Sequence, residues 1–286
     1  MSNVQPTIRR RFVDLAEGQV HVREAGFDAG PSDRLPLVML HASPGSARLL
    51  QAPMLALAAR RHVIATDTLG NGDSCSPLGA APDIACFADA HLRALSAMGL
   101  ERFDLYGTHT GANIACEIAL HAPQRVRRLV LDGVSLYSAQ EQAEMLALYA
   151  PAVGIDHEGS QFLRLWTFVR DAYLFWPWYR RDAVHRRAGG LPSADELHDK
   201  VVEVLKAART YHLPYRAAIA YDKAPRLPRI EVPTLLACAR SDMFMAYFDA
   251  VSALMPRATP LLTDGFGTPA ALAETVRAFE AFLDQE

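Results

Sequence analysis

The chain has 286 residues, 50% of them hydrophobic and 21% charged, with a formal net charge of −3. That length suits one α/β domain with an insertion, or two modest domains. The near-balanced charge removes the electrostatic reason to expect nucleic acid or an anionic membrane as partner. No basic and apolar leader opens the chain, and no run of about twenty apolar residues suggests a membrane span, so a cytoplasmic protein is expected. Cys75, Cys86, Cys116 and Cys238 are scattered without C-x-x-C spacing, which argues against a zinc site and fits reduced thiols.

Arg9, Arg10 and Arg11 read as a solvated N-terminal arm. Residues 11–25 alternate about the turn at Glu17-Gly18, as a β-hairpin does. A loop over 26–35 leads to the apolar run Leu35–His41, the pattern of a strand covered on both faces. His41-Ala-Ser-Pro-Gly-Ser46 follows, then a helical stretch over 47–60 and a second buried strand, His62–Asp67. Beyond the turn Thr68–Ser74, residues 83–98 carry apolar positions at helical spacing. On that spacing His91 falls on the helix surface, as His121 does on the next helix.

Phe103–Ala115 reads as strand, tight turn and helix start, with Gly107 and Gly111 bracketing Thr108-His109-Thr110. Arg127–Asp132 is another strand. Such alternation implies a mostly parallel sheet wrapped by helices, in which ligands bind beyond the carboxyl ends of the strands. His41, Asp67, Gly107 and Asp132 sit at those ends and should line one cleft. Residues 135–225 break the alternation with helical, aromatic-rich sequence such as Phe175-Trp-Pro-Trp-Tyr179. Strands then resume at Pro233–Ala239 and Leu261–Thr263, with a final helix from about Pro269 to Asp284.

These motifs, in this order, resemble those of the α/β-hydrolases, in particular the lid-bearing epoxide hydrolases, haloalkane dehalogenases and C–C hydrolases. The resemblance rests on His41-Ala-Ser-Pro-Gly, Asp67-Thr-Leu-Gly-Asn-Gly-Asp-Ser, the turn at 107–111, Ala239-Arg-Ser-Asp242 and Gly265-Phe-Gly267. It implies an eight-stranded sheet, with the core formed by 1–134 and 226–286 and a helical lid (135–225) inserted after the sixth strand. It also implies the Gly-x-Ser-x-Gly nucleophile elbow at 107–111, an oxyanion hole from the backbone N–H groups of Ser43 and Thr110, and no cofactor or metal.

Two positions depart from the family's triad. His109 stands where the nucleophile belongs, and Thr268 where the histidine base belongs. No histidine follows His212, so a standard acyl-serine mechanism is excluded by composition. An imidazole at 109 suits general base or acid catalysis near neutral pH, or nucleophilic attack on activated esters. Either Asp132 or Asp242 could orient it, with proximity to the elbow favouring Asp132. His41, Thr108, Trp166, Arg170, His212 and Tyr215 are candidate substrate contacts, although His41 also suits a packing role beneath the oxyanion loop. The expected reaction is hydrolysis of an ester, a lactone or a carbon–carbon bond beside a carbonyl in a small apolar or aromatic molecule. The alternatives are a lyase or isomerase working by proton transfer at His109, or a non-catalytic small-ligand binder; a homodimer is a further option.

Overall fold

The computed structural model describes residues 6–26, 34–77 and 79–285. Eight strands form one sheet in the order β1-β2-β4-β3-β5-β6-β7-β8. β1 (Arg9–Leu15) and β2 (Gly18–Ala25) make an antiparallel hairpin, and β2 also pairs antiparallel with β4 (Val63–Thr66). β3 (Leu37–Leu40), β4, β5 (Phe103–Thr108), β6 (Val126–Asp132), β7 (Thr234–Ala239) and β8 (Thr259–Thr263) run parallel. The short apolar runs form these central strands because helices cover both of their faces, leaving no exposed face to be polar.

Two apolar layers flank the sheet. One is packed by α2 (Ile84–Ala97), α3 (Thr110–His121) and α8 (Phe248–Leu254); the other by α1 (Gln51–Leu57) and α9 (Pro269–Leu283). Between β6 and β7 lie α4 (Ala139–Leu148), α5 (Ser160–Leu174), α6 (Ala194–Lys206) and α7 (His212–Ala220), which form the lid around their own aromatic-rich core. Local signals start several helices. Asp83 caps α2, Ser138 and Glu141 form a capping box on α4, and Ser193 caps α6.

Three expectations are corrected. Arg9–Arg11 are not a free arm but part of edge strand β1, where Arg11 pairs with Glu24. The stretch 47–60 is a single tight turn over Ala47–Leu50 followed by the short α1. His91 is buried rather than exposed, its ring held between the hydroxyls of Thr66 (2.8 Å) and Thr68 (3.2 Å). Burial pushes its pKa down to about 3, so it stays neutral. Helical spacing alone could not reveal that the loop after β4 folds back over that helix face. Most of the loop expected over 26–35 lies outside the described residues.

Candidate active site

The site begins with the turn between β5 and α3. His109 holds φ 52° and ψ −109°, a left-handed conformation that is uncommon for a residue with a side chain. Such strain costs about 1–3 kcal/mol and persists only where the surroundings enforce it. Here the enforcement is visible. A Cβ on Gly107 would collide with the carbonyl of Gly111, and one on Gly111 would collide with the carbonyl of Leu40. Only glycine lets α3 start this close to β3 and β5. His109 N–H donates to Asp132 O at 3.1 Å, and its carbonyl accepts from Ala112 and Asn113. The turn is thus pinned on both sides, with the imidazole projecting from its apex.

The ring lies against Gly133, at the end of β6, where a Cβ would come within 2.6 Å of Cδ2. His109 Nε2 then reaches Asp242 Oδ2 at 2.7 Å, beyond β7. Asp242 is itself fixed by the Phe244 N–H, which donates to its other oxygen at 2.7 Å. An ionised carboxylate only accepts, so this pair places the proton on Nε2 and leaves the Nδ1 lone pair as the basic position. Burial disfavours the imidazolium, but the charge of Asp242, its hydrogen bond and the charge of Asp132 outweigh it and raise the His109 pKa. For Asp242, burial pushes upward, while His109, the Phe244 N–H and Arg187 hold the carboxyl below its ordinary value.

The preference for Asp132 as the partner is corrected by this geometry. Asp132 Oδ2 accepts from the Tyr106 hydroxyl at 2.8 Å, two residues back along β5 from Thr108. Burial foremost, with the charge of Asp242 adding to it, raises its pKa to about 6 against the opposing pulls of Tyr106 and His109. Asp132 therefore supports the strand ends, and its backbone carbonyl rather than its side chain meets the elbow.

Facing the elbow is the loop after β3. The close approach of Gly111 to Leu40 and His41 brings the start of α3 against it. The Thr110 N–H, first in the helix, has no intrahelical acceptor and sits at the positive end of the helix dipole. Ser43 is buried, and its Oγ has no hydrogen-bond partner among the described residues. His41 is corrected as a substrate contact: it is fully buried, with Nδ1 on Ala42 O at 2.9 Å and Nε2 accepting from the Thr68 N–H at 3.0 Å. Both nitrogens are occupied, and burial keeps the ring neutral. It holds the loop after β3 from beneath.

Asp67 is a second staple, accepting from His21 Nδ1 (2.9 Å), Ala47 N–H (2.7 Å) and Asp73 N–H (3.0 Å). His21, Asp67 and Asp73 have ligand atoms within 4.8 Å of one another, a spacing compatible with a metal. The Asp67 oxygens, however, are already committed to holding three loops together.

The loop after β7 and the lid together contribute an aromatic ceiling. Phe244 packs on His109 at 4.7 Å between centroids, and Trp176 and Tyr137 pack on Phe244 at 5.4 and 6.2 Å. Several expected lid contacts lie elsewhere. Trp166 is 39% exposed, and Arg170 pairs with Asp171. His212 faces a separate side cleft of about 690 Å³ lined also by Ile84, Glu117 and Arg216. Tyr215 belongs to the lid core against Tyr149. Thr108 ends β5 beside the turn, half-buried. Thr268 is exposed and caps α9, accepting from the Ala271 N–H at 3.2 Å. The residues missed were Phe244 and Trp176; the crowded Phe175–Tyr179 segment and the position of Phe244 just after Asp242 were the available signals.

α6 is fastened to the core through polar contacts. Ser46 Oγ donates to Glu203 Oε2 at 2.6 Å, Arg48 pairs with Asp199 at 2.7 Å, and Lys206 bridges Glu203 and Asp73, each at 3.1 Å. Thr210 Oγ1 adds a bond to Gly70 O at 2.8 Å.

Comparison with known proteins agrees with this architecture. A family model described as alpha/beta hydrolase fold matches residues 36–176. The chain is 41% identical over 132 residues to a 2-hydroxymuconate semialdehyde hydrolase of Pseudomonas sp. (strain CF600), covering 45% of this chain and 44% of that one. It is 29% identical over 137 residues to haloalkane dehalogenase 2 of Mycobacterium bovis, covering 46% and 44%. The matched stretch thus spans under half the length of these two relatives. Among solved structures, the enol-lactonase from Burkholderia xenovorans LB400 superposes with a TM-score of 0.74 at 17% identity, covering 96% of this chain and all of that one. The chain has the α/β-hydrolase fold, with a helical lid after β6.

Proposed function

We propose that this α/β-hydrolase-fold chain is a hydrolase of small apolar or aromatic carbonyl compounds, cleaving an ester, a lactone or a carbon–carbon bond beside a carbonyl. His109 takes the place of the nucleophile, no histidine stands at the usual base position, and the key imidazole is the one on the elbow. The single observation that carries this reading is the 2.7 Å bond from His109 Nε2 to Asp242 at a strained turn facing the oxyanion loop. A purely structural histidine gives no reason to hold such a backbone conformation.

In this reading Nδ1 of His109 takes a proton from water as the water attacks the substrate carbonyl, and Asp242 stabilises the imidazolium that forms. The developing oxyanion is met by the N–H groups of Thr110 and Ser43. One such donor is worth about 3–4 kcal/mol of barrier. The imidazolium then returns the proton to the leaving group. Similarity to the hydrolase and lactonase supports the reaction class. The aromatic ceiling of Phe244, Trp176 and Tyr137 supports an apolar body on the substrate.

The test is product formation from a panel of aryl esters, enol lactones and β-diketones, with wild type and His109→Ala side by side. Turnover by wild type and its loss in the variant, with ligand binding intact, is the expected outcome. Equal turnover by both proteins would remove His109 from the chemistry.

A further inference from the structure

Lys200 projects from α6 onto the oxyanion loop, where a Cβ built on Gly45 would lie 3.1 Å from its Nζ. Its ammonium is partly covered and, among the described residues, makes no hydrogen bond or ion pair. Glu203, three residues further along the same helix, is already engaged by Ser46 and Lys206. The charge of Lys200 is felt by His109 and His41, in both cases opposing their protonation. Burial draws the ammonium down to about 8, with Glu203 opposing, so it remains mostly charged at neutral pH.

On the same loop, two residues before Gly45, the buried Ser43 hydroxyl also has no partner among the described residues. The cation and the hydroxyl are both donors, with no acceptor for either among the described residues. Polar groups held this way, away from water, are stabilised by an anionic oxygen brought to them. Lys200 is not needed to fasten the lid, because Arg48–Asp199, Lys206–Asp73 and the Ser46–Glu203 bond already do so.

We propose that Lys200, with the Ser43 hydroxyl, seats a carboxylate carried by the substrate, so that the site selects apolar or aromatic carbonyl compounds that are also carboxylic acids. This narrows the substrate class of the site described above. It rests on that reading for the reaction, but not for the binding. Since α6 brings the ammonium and the core brings the hydroxyl, the seat is complete only with the lid in place.

The experiment uses inert ligands, so that it does not depend on turnover. 3-Phenylpropanoate and 3-phenylpropanamide are titrated at pH 7 into the full-length protein, reading tryptophan fluorescence, to which Trp176 contributes from the ceiling. A charge-assisted contact is worth about 10- to 100-fold in binding. Wild type should therefore bind the acid at least about tenfold more tightly than the amide. Lys200→Met should lose that preference while binding the amide as before, and Lys200→Arg should keep it; Lys200→Gln replaces the Met variant if the latter fails to fold. Equal binding of acid and amide by wild type, or a preference that survives in Lys200→Met, overturns the proposal. A loss of kcat in Lys200→Met with no binding preference in wild type also overturns it, since the ammonium would then serve a developing charge instead. A Lys200-dependent preference in a protein that cleaves no ester would leave the seat standing and count against the hydrolytic reading alone.

Discussion

The elbow between β5 and α3 and the loop between β8 and α9 both follow the carboxyl ends of parallel strands of the same sheet, yet they treat their polar residues in opposite ways. At the elbow, His109 is forced into a left-handed conformation and its ring is held by a carboxylate 2.7 Å away. In the other loop, Thr268 adopts ordinary extended backbone, is exposed, and spends its hydroxyl on capping a helix. One loop stores strain around an imidazole; the other relieves unsatisfied helix donors. In the proposed reading, the difference separates a residue positioned for chemistry from one positioned for stability.

Substitutions can break this comparison, and the largest effect is expected at the elbow. His109→Ala should reduce kcat/KM on an activated ester by about 10²–10⁴-fold, the usual range for losing a general base. Asp242→Asn should cost somewhat less, about 10²-fold, because the imidazole remains but loses the charge that raises its pKa. Its activity should also rise at lower pH than in wild type. Asp132→Asn sharpens the contrast. An asparagine oxygen can still accept from Tyr106, so activity should stay within about fivefold of wild type, less than the factor expected for a base or its partner.

Stability should respond to Asp132 in a defined direction. The folded protein keeps the Asp132 proton up to about pH 6, whereas an unfolded chain releases it near 3.9. Folding is therefore favoured on the acid side, and that contribution is lost as pH rises from about 4 through 6. Asp132→Asn should flatten the pH dependence of stability across that window in urea titrations, and an unchanged slope would remove the assigned burial.

Smaller effects concern the backbone. His109→Gly should be more stable than His109→Ala by about 1 kcal/mol, because glycine adopts φ 52° freely. Denaturant midpoints of the two variants measure this difference. Thr268→Ala should lose about 0.5–2 kcal/mol of stability through the lost cap with no change in kcat. A fall in kcat there would bring the last loop into the site and erase the comparison.

Much of the fold was legible because apolar runs, glycine turns and helical spacing recur in a set order, and a sheet covered on both faces needs that order. The elbow was legible for the same reason: Gly107 and Gly111 bracket a position that geometry pushes outward. The partner of His109 was not. Asp132 and Asp242 both end parallel strands, and what separates them is the Tyr106 hydroxyl claiming the former, a side-chain contact between adjacent strands without local signature. Lid residues were misplaced for a related reason. Aromatic density announces a core, but whether Trp166, Tyr215 or Trp176 turns toward the cleft depends on how four helices pack.

The most direct measurement is the pH dependence of kcat/KM for an activated aryl ester. With His109 as the base, activity should follow the neutral imidazole and rise as pH increases through a pKa above the ordinary histidine value near 6.5, with that limb moving to lower pH in Asp242→Asn. A rate that is flat from about pH 5 to 8, or a limb unmoved by removing the Asp242 charge, would contradict the assignment of His109 and Asp242 as a working pair.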